Sequence, residues 1–322
     1  MSNVKKILII RFSALGDILL TTPIIRSIKN KYPDSEIDFL MKKEYSDALK
    51  FNPCINNLLF LDSYDTKTNF DIIIDLQNNL LSSKIVSKKK SGNGTTKVYS
   101  FRKPQLKKFM LVNFKINLYK EILQIPEMYS ASIPDLSLDE KGLDLYLGDF
   151  GYMDLQKGNY IGLCPGSRHF TKRYPINYFA ELGNLFSAKG FNIILFGGES
   201  DKMICRELEN KIPGSLNLCN DNDLLLTGRY INECKFVITN DSGLMHVASA
   251  MQKPVVALFG SSVKEFGFAP YKNKNLLLEN NSLSCRPCSH YGREECPKKH
   301  FNCMMKLMPS LVYKKIIEFM EI

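Results

Sequence analysis

The 322-residue chain has no apolar run long enough to span a bilayer and no recognisable export leader. The opening segment MSNVKKILIIRF is a lysine pair and a short apolar run that stops at Arg11, with no small-residue cleavage site after it. At the first strand-to-helix turn there is neither G-x-G-x-x-G nor G-x-x-x-x-G-K-[ST], which counts against a dinucleotide oxidoreductase or a P-loop enzyme. No D-x-D pair stands at the end of an expected strand, so no metal ion and no other cofactor is expected to hold a diphosphate. Internal repeats and low-complexity tracts are missing too. One charge sign is absent from a long stretch: Lys84 to Lys120 holds no acidic residue and 11 basic ones.

What is present begins with size. A chain of this length exceeds one ordinary core, and two domains are the default. The hydrophobic fraction of 44% is enough for both. The net charge of +10 points to an acidic partner: a phosphorylated substrate, an anionic membrane surface or nucleic acid. The basic residues lack interleaved aromatic platforms, so no nucleic acid partner is expected. Nine cysteines without a leader fit a reducing cytoplasm better than a disulfide framework.

The first half alternates strand and helix. Strands are expected at Lys6–Ile10, Glu36–Met41, Leu58–Leu61 and Asp71–Leu76, with helical periodicity over Leu15–Lys31 and a helix starting near Asn79. Ser91-Gly92-Asn93-Gly94 reads as a turn. A polar stretch, Asp139–Gly158, reads as the boundary. The second half repeats the alternation, with strands expected at Tyr160–Cys164, Asn192–Phe196, Phe236–Thr239 and Val255–Phe259. Its helices are expected at Ile176–Lys189, Ser200–Lys211, Asp221–Glu233, Ser242–Met251 and Lys314–Met320. This pattern predicts an α/β protein with two Rossmann-like domains, parallel sheets and right-handed crossovers, facing an interdomain cleft.

Chemistry-bearing residues cluster where expected strands end. In RFSALGD, Asp17 falls in a first helical turn, where the dipole favours a carboxylate with no further role. A general base at the sheet edge is the alternative. In CPGSRHFTKRYP, Ser167 and Thr171 can bind phosphate oxygens or cap a helix, and Lys172 and Arg173 add positive charge. FGGESD is a tight strand-to-helix turn. In ITNDSGLMHVASA, Asp241 can accept from sugar hydroxyls, and Ser242 and Gly243 can present helix-start amides to a diphosphate. His246 lies one turn further along that helix. Cys285-x2-Cys288, Cys296 and Cys303, with His290 and His300 nearby, read either as a zinc site or as an ordered loop of buried thiols.

These motifs resemble those of the ADP-heptose:lipopolysaccharide heptosyltransferases of glycosyltransferase family 9, nearest the heptosyltransferase II branch. The residues that carry the likeness are KILIIRFSALGDILLTTPIIRSIK, PGSRHFTKRYP, TNDSGLMHVASAMQKPVVALFGS and CRPCSHYGREECPKKHFNCM, in the family's order over nearly the whole chain. The resemblance implies a GT-B fold: an acceptor domain over residues 1–152, an ADP-heptose domain over 153–309 and a closing helix over 310–322. It implies inverting transfer of L-glycero-D-manno-heptose from ADP-heptose to the inner core of lipopolysaccharide. Another nucleotide sugar as donor, or nucleotide-sugar binding without turnover, are the alternatives.

Asp17 falls on the family's catalytic aspartate and Lys172 on its donor-phosphate lysine. Asp241, Ser242 and Gly243 fall on its donor loop, with Ser167, Thr171 and His246 expected beside them. Arg11, Ser13, Lys88, Lys89 and Lys90 are expected on the acceptor side. The implied partners are ADP-heptose, a phosphorylated Kdo–lipid A or heptosyl acceptor, and the anionic inner leaflet. Such an enzyme is expected to be cytoplasmic and peripheral to the inner membrane. The heptosyltransferase I branch carries a ribose-binding glutamate before the strand that leads to the donor loop. NDLLLTGRY here has none, which leaves adenosine recognition unassigned.

Overall fold

The computed structural model describes residues 5–65, 68–93, 96–149, 155 and 158–322, without the side chains of 89–93. The chain divides into two compact units. One takes residues up to Pro104 together with Leu123–Gly148, and the other takes Gln105–Ile122 and Asp149 onward.

The first unit is a five-stranded sheet of β1 (Lys6–Ile10), β2 (Glu36–Met41), β3 (Asn57–Phe60), β4 (Ile72–Asp75) and β5 (Lys97–Ser100). Every pairing is parallel and the order is β3-β2-β1-β4-β5. Strands covered on both faces need apolar side chains throughout, and KILII and IIID supply them. Leu8, Ile10, Leu40 and Ile73 meet Phe12, Phe70 and Ile85 in its core. The helices are α1 (Leu15–Leu19), α2 (Thr22–Lys31), α3 (Leu80–Asn93) and, after α4 (Gln105–Phe114) of the other unit, α5 (Ile125–Ser130). From β1 the chain builds β2 and β3 on one side and returns to build β4 and β5 on the other. The carboxyl ends of β1 and β4 therefore flank a topological switch point, where open α/β sheets bind ligands.

The second unit repeats this plan with six strands: β6 (Tyr160–Cys164), β7 (Asn192–Leu195), β8 (Leu216–Asn217), β9 (Cys234–Asn240), β10 (Val255–Phe259) and β11 (Asn275–Glu279). The order is β11-β10-β9-β6-β7-β8, again all parallel, with the switch point between β6 and β9. Its helices are α6 (Ile176–Ala188), α7 (Lys202–Lys211), α8 (Leu224–Glu233), α9 (Gly243–Ala250), α10 (Asn302–Met305) and α11 (Pro309–Met320). One large core joins Phe179 and Phe186 of α6 to Phe236, Leu258 and the α11 residues Val312 and Ile316.

Several expected elements change form. The single helix expected over Leu15–Lys31 is two. Pro23 has no N–H to continue the ladder, and the Thr21 and Thr22 hydroxyls donate back to the Ile18 and Leu19 carbonyls at 2.6 and 2.8 Å. The turn expected at Ser91-Gly92-Asn93 is the last part of α3, and Gly94 lies outside the described residues. The polar stretch from Asp139 is drawn onto α2 as far as Asp144. Arg26, buried, donates to Asp139 at 2.6 and 2.7 Å and to Gly142 O at 2.9 Å, and pairs with Asp144. Strands β5, β8 and β11 are additional to those expected from the sequence.

Candidate active site

In the first unit the site grows from the end of β1. Arg11 is buried there and spends its guanidinium locally: Nη1 donates to Leu76 O and Nε to Ser13 O, both at 2.9 Å. The first bond ties the ends of β1 and β4 together across the switch point. Nη2 pairs with Asp17 Oδ1 at 2.8 Å. Burial disfavours the Arg11 cation, but Tyr129 and Asp17 outweigh it and hold its pKa above the ordinary value. Asp17 stands at the third position of α1, and its Oδ2 accepts from Ala14 N–H at 3.3 Å. Both roles anticipated for this carboxylate are thus available to it: it caps a helix start, and its side chain keeps 23% exposure.

The floor is made by Asp75 at the end of β4. It accepts from Gln77 N at 3.0 Å, Asn78 N at 2.8 Å and Ser82 Oγ at 2.8 Å, while Gln77 Oε1 receives Phe12 N–H at 3.1 Å. Lys103 joins this group from the loop after β5. Burial and Arg11 push its pKa down, against the pull of Asp17 and Asp75. Ser13 is half-buried beside Arg11, whereas Lys88 projects into solvent from α3. The side chains of Lys89 and Lys90 lie outside the described residues.

In the second unit the loops after β6, β9 and β10 converge. Asp241, just past β9, is buried, and its Oδ2 pairs with Lys172 Nζ at 2.7 Å and accepts from Ser262 Oγ at 2.6 Å. Burial alone would raise the Asp241 pKa; Lys172, Ser262 and His246 hold it below the ordinary carboxylate value. Ser167 Oγ donates to Asp241 O at 3.1 Å. Asn240 braces the loop after β6, donating to Pro165 O at 2.7 Å and accepting from Tyr174 N at 2.9 Å. Thr171, also buried, donates its N–H to Arg293 O at 3.0 Å and accepts Arg293 N–H on Oγ1 at 2.8 Å.

Ser242 and Gly243 are half-buried at the start of α9. The Ser242 hydroxyl lies 3.5 Å from Thr239 Oγ1 and does not cap its own helix, which leaves the first-turn amides to a ligand. His246 is buried inside α9. Of the Asp241 carboxylate expected to face a sugar, Oδ2 is engaged by both Lys172 and Ser262. A buried carboxylate needs a counter-charge, and Lys172 is the nearest cation.

Sequence reasoning missed Ser262, Lys103, Tyr129 and Arg286. The Gly260-Ser261-Ser262 turn after the apolar β10 carried a readable signal; the others did not. Arg286 donates to Gly260 O at 2.6 Å, Ser262 O at 2.7 Å and Asn280 O at 2.8 Å, and pairs with Glu279 at 2.7 Å. It therefore fixes the strand-end turn that carries Ser262.

A D-x-D pair does follow a strand. Asp221-Asn222-Asp223 comes after β8, a two-residue strand that the sequence did not predict. Both carboxylates are engaged: Asp221 pairs with Lys202, and Asp223 caps α8 by accepting Leu226 N–H at 2.9 Å. All nine cysteines are free thiols, and Cys285 Sγ lies 4.0 Å from His300 Nε2. Among the described residues, no three His, Cys, Asp or Glu side chains form a group that could hold a metal ion.

Residues 66–299 match the profile of glycosyltransferase family 9 (heptosyltransferase). A lipooligosaccharide heptosyltransferase 2 of Campylobacter jejuni is 27% identical over 316 residues, spanning 94% of this chain and 93% of its own. Among solved structures, a family 9 glycosyl transferase of Veillonella parvula has a TM-score of 0.75 and 22% identity over 98% of this chain and 97% of its own. The ADP-heptose lps heptosyltransferase II of E. coli has a TM-score of 0.73 and 21% identity over 98% of both chains. The expected α/β architecture of two parallel sheets is the one observed, and these structures share it.

Proposed function

We propose, because this chain belongs to glycosyltransferase family 9 and is a glycosyltransferase, that it transfers L-glycero-D-manno-heptose from ADP-heptose to the inner core of lipopolysaccharide, as the second core heptose. The observation that carries this reading is the convergence of the family motifs on the two switch points. Asp17 stands at one, and Lys172 with the α9 amides stands at the other. The near full-length relative from Campylobacter jejuni supports the choice of sugar and step.

In this reading Asp17 is the general base. Arg11 orients one carboxylate oxygen, and Oδ2 takes the proton of the acceptor hydroxyl as that oxygen bonds to the anomeric carbon. The bond from that carbon to the diphosphate breaks on the opposite face, which inverts the configuration, and the electron pair leaves on ADP. Lys172 and the amides of Ser242 and Gly243 stabilise the charge that develops there. Arg11 and Ser13 shape the acceptor side, Ser167 and Thr171 hold the donor loop, and His246 supports it from within α9. The acceptor is an anionic glycolipid, so the enzyme works at the cytoplasmic face of the membrane.

The test is turnover with ADP-heptose and, separately, UDP-hexosamines on a water-soluble truncated acceptor, following the anomeric signal by NMR. ADP-heptose alone should be consumed, giving inverted product. Asp17→Asn should lower kcat by about 10²–10⁴-fold at unchanged ADP-heptose affinity. Full turnover by that variant would remove Asp17 from the mechanism, and turnover of UDP-sugars alone would reject the donor.

A further inference from the structure

The acid-free basic stretch is divided by the fold. Its first lysines lie on α3 in the first unit, while Gln105–Ile122 belongs to the second. This second part is amphipathic in an unusual sense. Helix α4 turns Lys108 inward, where its ammonium lies 5.9 Å from the Phe266 ring centre and 5.7 Å from that of Phe268. Leu111 anchors the same face on Val263 and Phe266. The opposite face presents Leu106 and Phe109 to solvent at 68% and 55% exposure, and Phe114, Ile116, Leu118 and Ile122 continue the apolar surface. Exposed Lys107, Lys115 and Lys120 stand among them. Lys115 is pinned by its own ammonium, which donates at 2.6 Å to both Val112 O and Pro287 O.

A soluble helix ordinarily hides its Leu and Phe and exposes its Lys. A contiguous exposed apolar patch marks an interaction site. Large apolar side chains interspersed with lysines and no acid before Glu121 match the interface of an anionic bilayer: rings enter the acyl boundary while ammonium groups meet lipid phosphates. A second protein chain would need acidic groups to answer the lysines, and the net charge of +10 opposes pairing with another copy of this chain.

We infer that residues 105–122 form a membrane-inserting platform for anionic phospholipid, and that the α3 lysines do not carry the docking. The inference rests on the reading that the acceptor is a membrane glycolipid, but its test contains no acceptor. Full-length protein is sedimented with vesicles of phosphatidylethanolamine and phosphatidylglycerol, and with vesicles of phosphatidylcholine alone. Binding is expected to the anionic vesicles and to fall with added salt.

The double variant Phe109→Glu/Phe114→Glu should lose binding by about tenfold or more. Lys107→Glu/Lys120→Glu should weaken it and flatten its salt dependence, whereas Lys88→Glu should leave it unchanged. Turnover on a water-soluble acceptor should persist in the Phe109→Glu/Phe114→Glu and Lys107→Glu/Lys120→Glu variants, which separates docking from catalysis. The inference is overturned if the Phe variant binds vesicles like the parent, if Lys88→Glu alone abolishes binding, or if the Phe variant only converts a dimer to a monomer.

Discussion

The Lys172–Asp241 pair shows how one residue contact serves two ends. Asp241 keeps 8% and Lys172 16% of its side chain exposed, so both charges are largely removed from water. Such a pair contributes little over a matched apolar pair, but removing one partner strands the other. Lys172→Met should therefore cost about 3–5 kcal/mol in denaturant unfolding. Adding Asp241→Asn should recover part of that loss without restoring turnover, because the cation proposed for the leaving diphosphate is still missing. The pH dependence follows from the Asp241 shift. Its folded pKa lies below the ordinary carboxylate value, so the stabilisation is complete above about pH 4 and fades as pH falls toward the folded value. The stability gap between parent and Lys172→Met should accordingly close on acidification. A Lys172→Met protein as stable as the parent at neutral pH would deny that the pair is buried and coupled.

At the scale of elements, the loops after β6 and β10 are held by close backbone approach. A Cβ on Gly260 would sit 2.7 Å from Thr171 O, the atom that accepts Ser261 N–H at 3.2 Å. Neither atom belongs to a flexible side chain, so the end of β10 and the loop carrying Thr171 must part. Gly260→Ala should cost about 1–3 kcal/mol in thermal unfolding and weaken ADP binding by moving Thr171 and Lys172 together. Unchanged ADP affinity would mean that this turn does not position the loop. The sequence marks these elements unevenly. Continuous apolar runs between polar turns make β1, β6 and β10 readable, and Asn240-Asp241-Ser242 marks the α9 start. Strands β5 and β11 are short edges, KVYS and NLLLE, whose pairing depends on neighbours distant in sequence. Helix α4 evades periodicity because its exposed side carries Leu106 and Phe109. Arg286 and Ser262 gain their meaning from hydrogen bonds across elements, which no local spacing encodes.

For the molecule as a whole, two parallel sheets of the same winding, each with its own core, divide the labour. The duplication was visible in the repeated strand–helix alternation. What the alternation could not give is the assignment of Gln105–Ile122, which leaves the first unit's sequence to pack in the second. If donor binding belongs to the second unit, a saturating nucleotide should protect that unit selectively. ADP at 100 times its Kd stabilises whatever it binds by about 2.7 kcal/mol, equivalent to about a hundredfold slower exchange through openings that must release it. Hydrogen exchange followed by mass spectrometry should therefore slow in residues 165–173, 240–246 and 259–262. Residues 11–17 and 75–82 of the first unit should exchange at their unliganded rates until an acceptor analogue is added. Protection that begins instead at Arg11 and Asp17 would exchange the roles of the two units, placing the leaving group beside the carboxylate assigned to the acceptor. Because the two loop sets lie on different peptides, a single exchange series decides between these assignments.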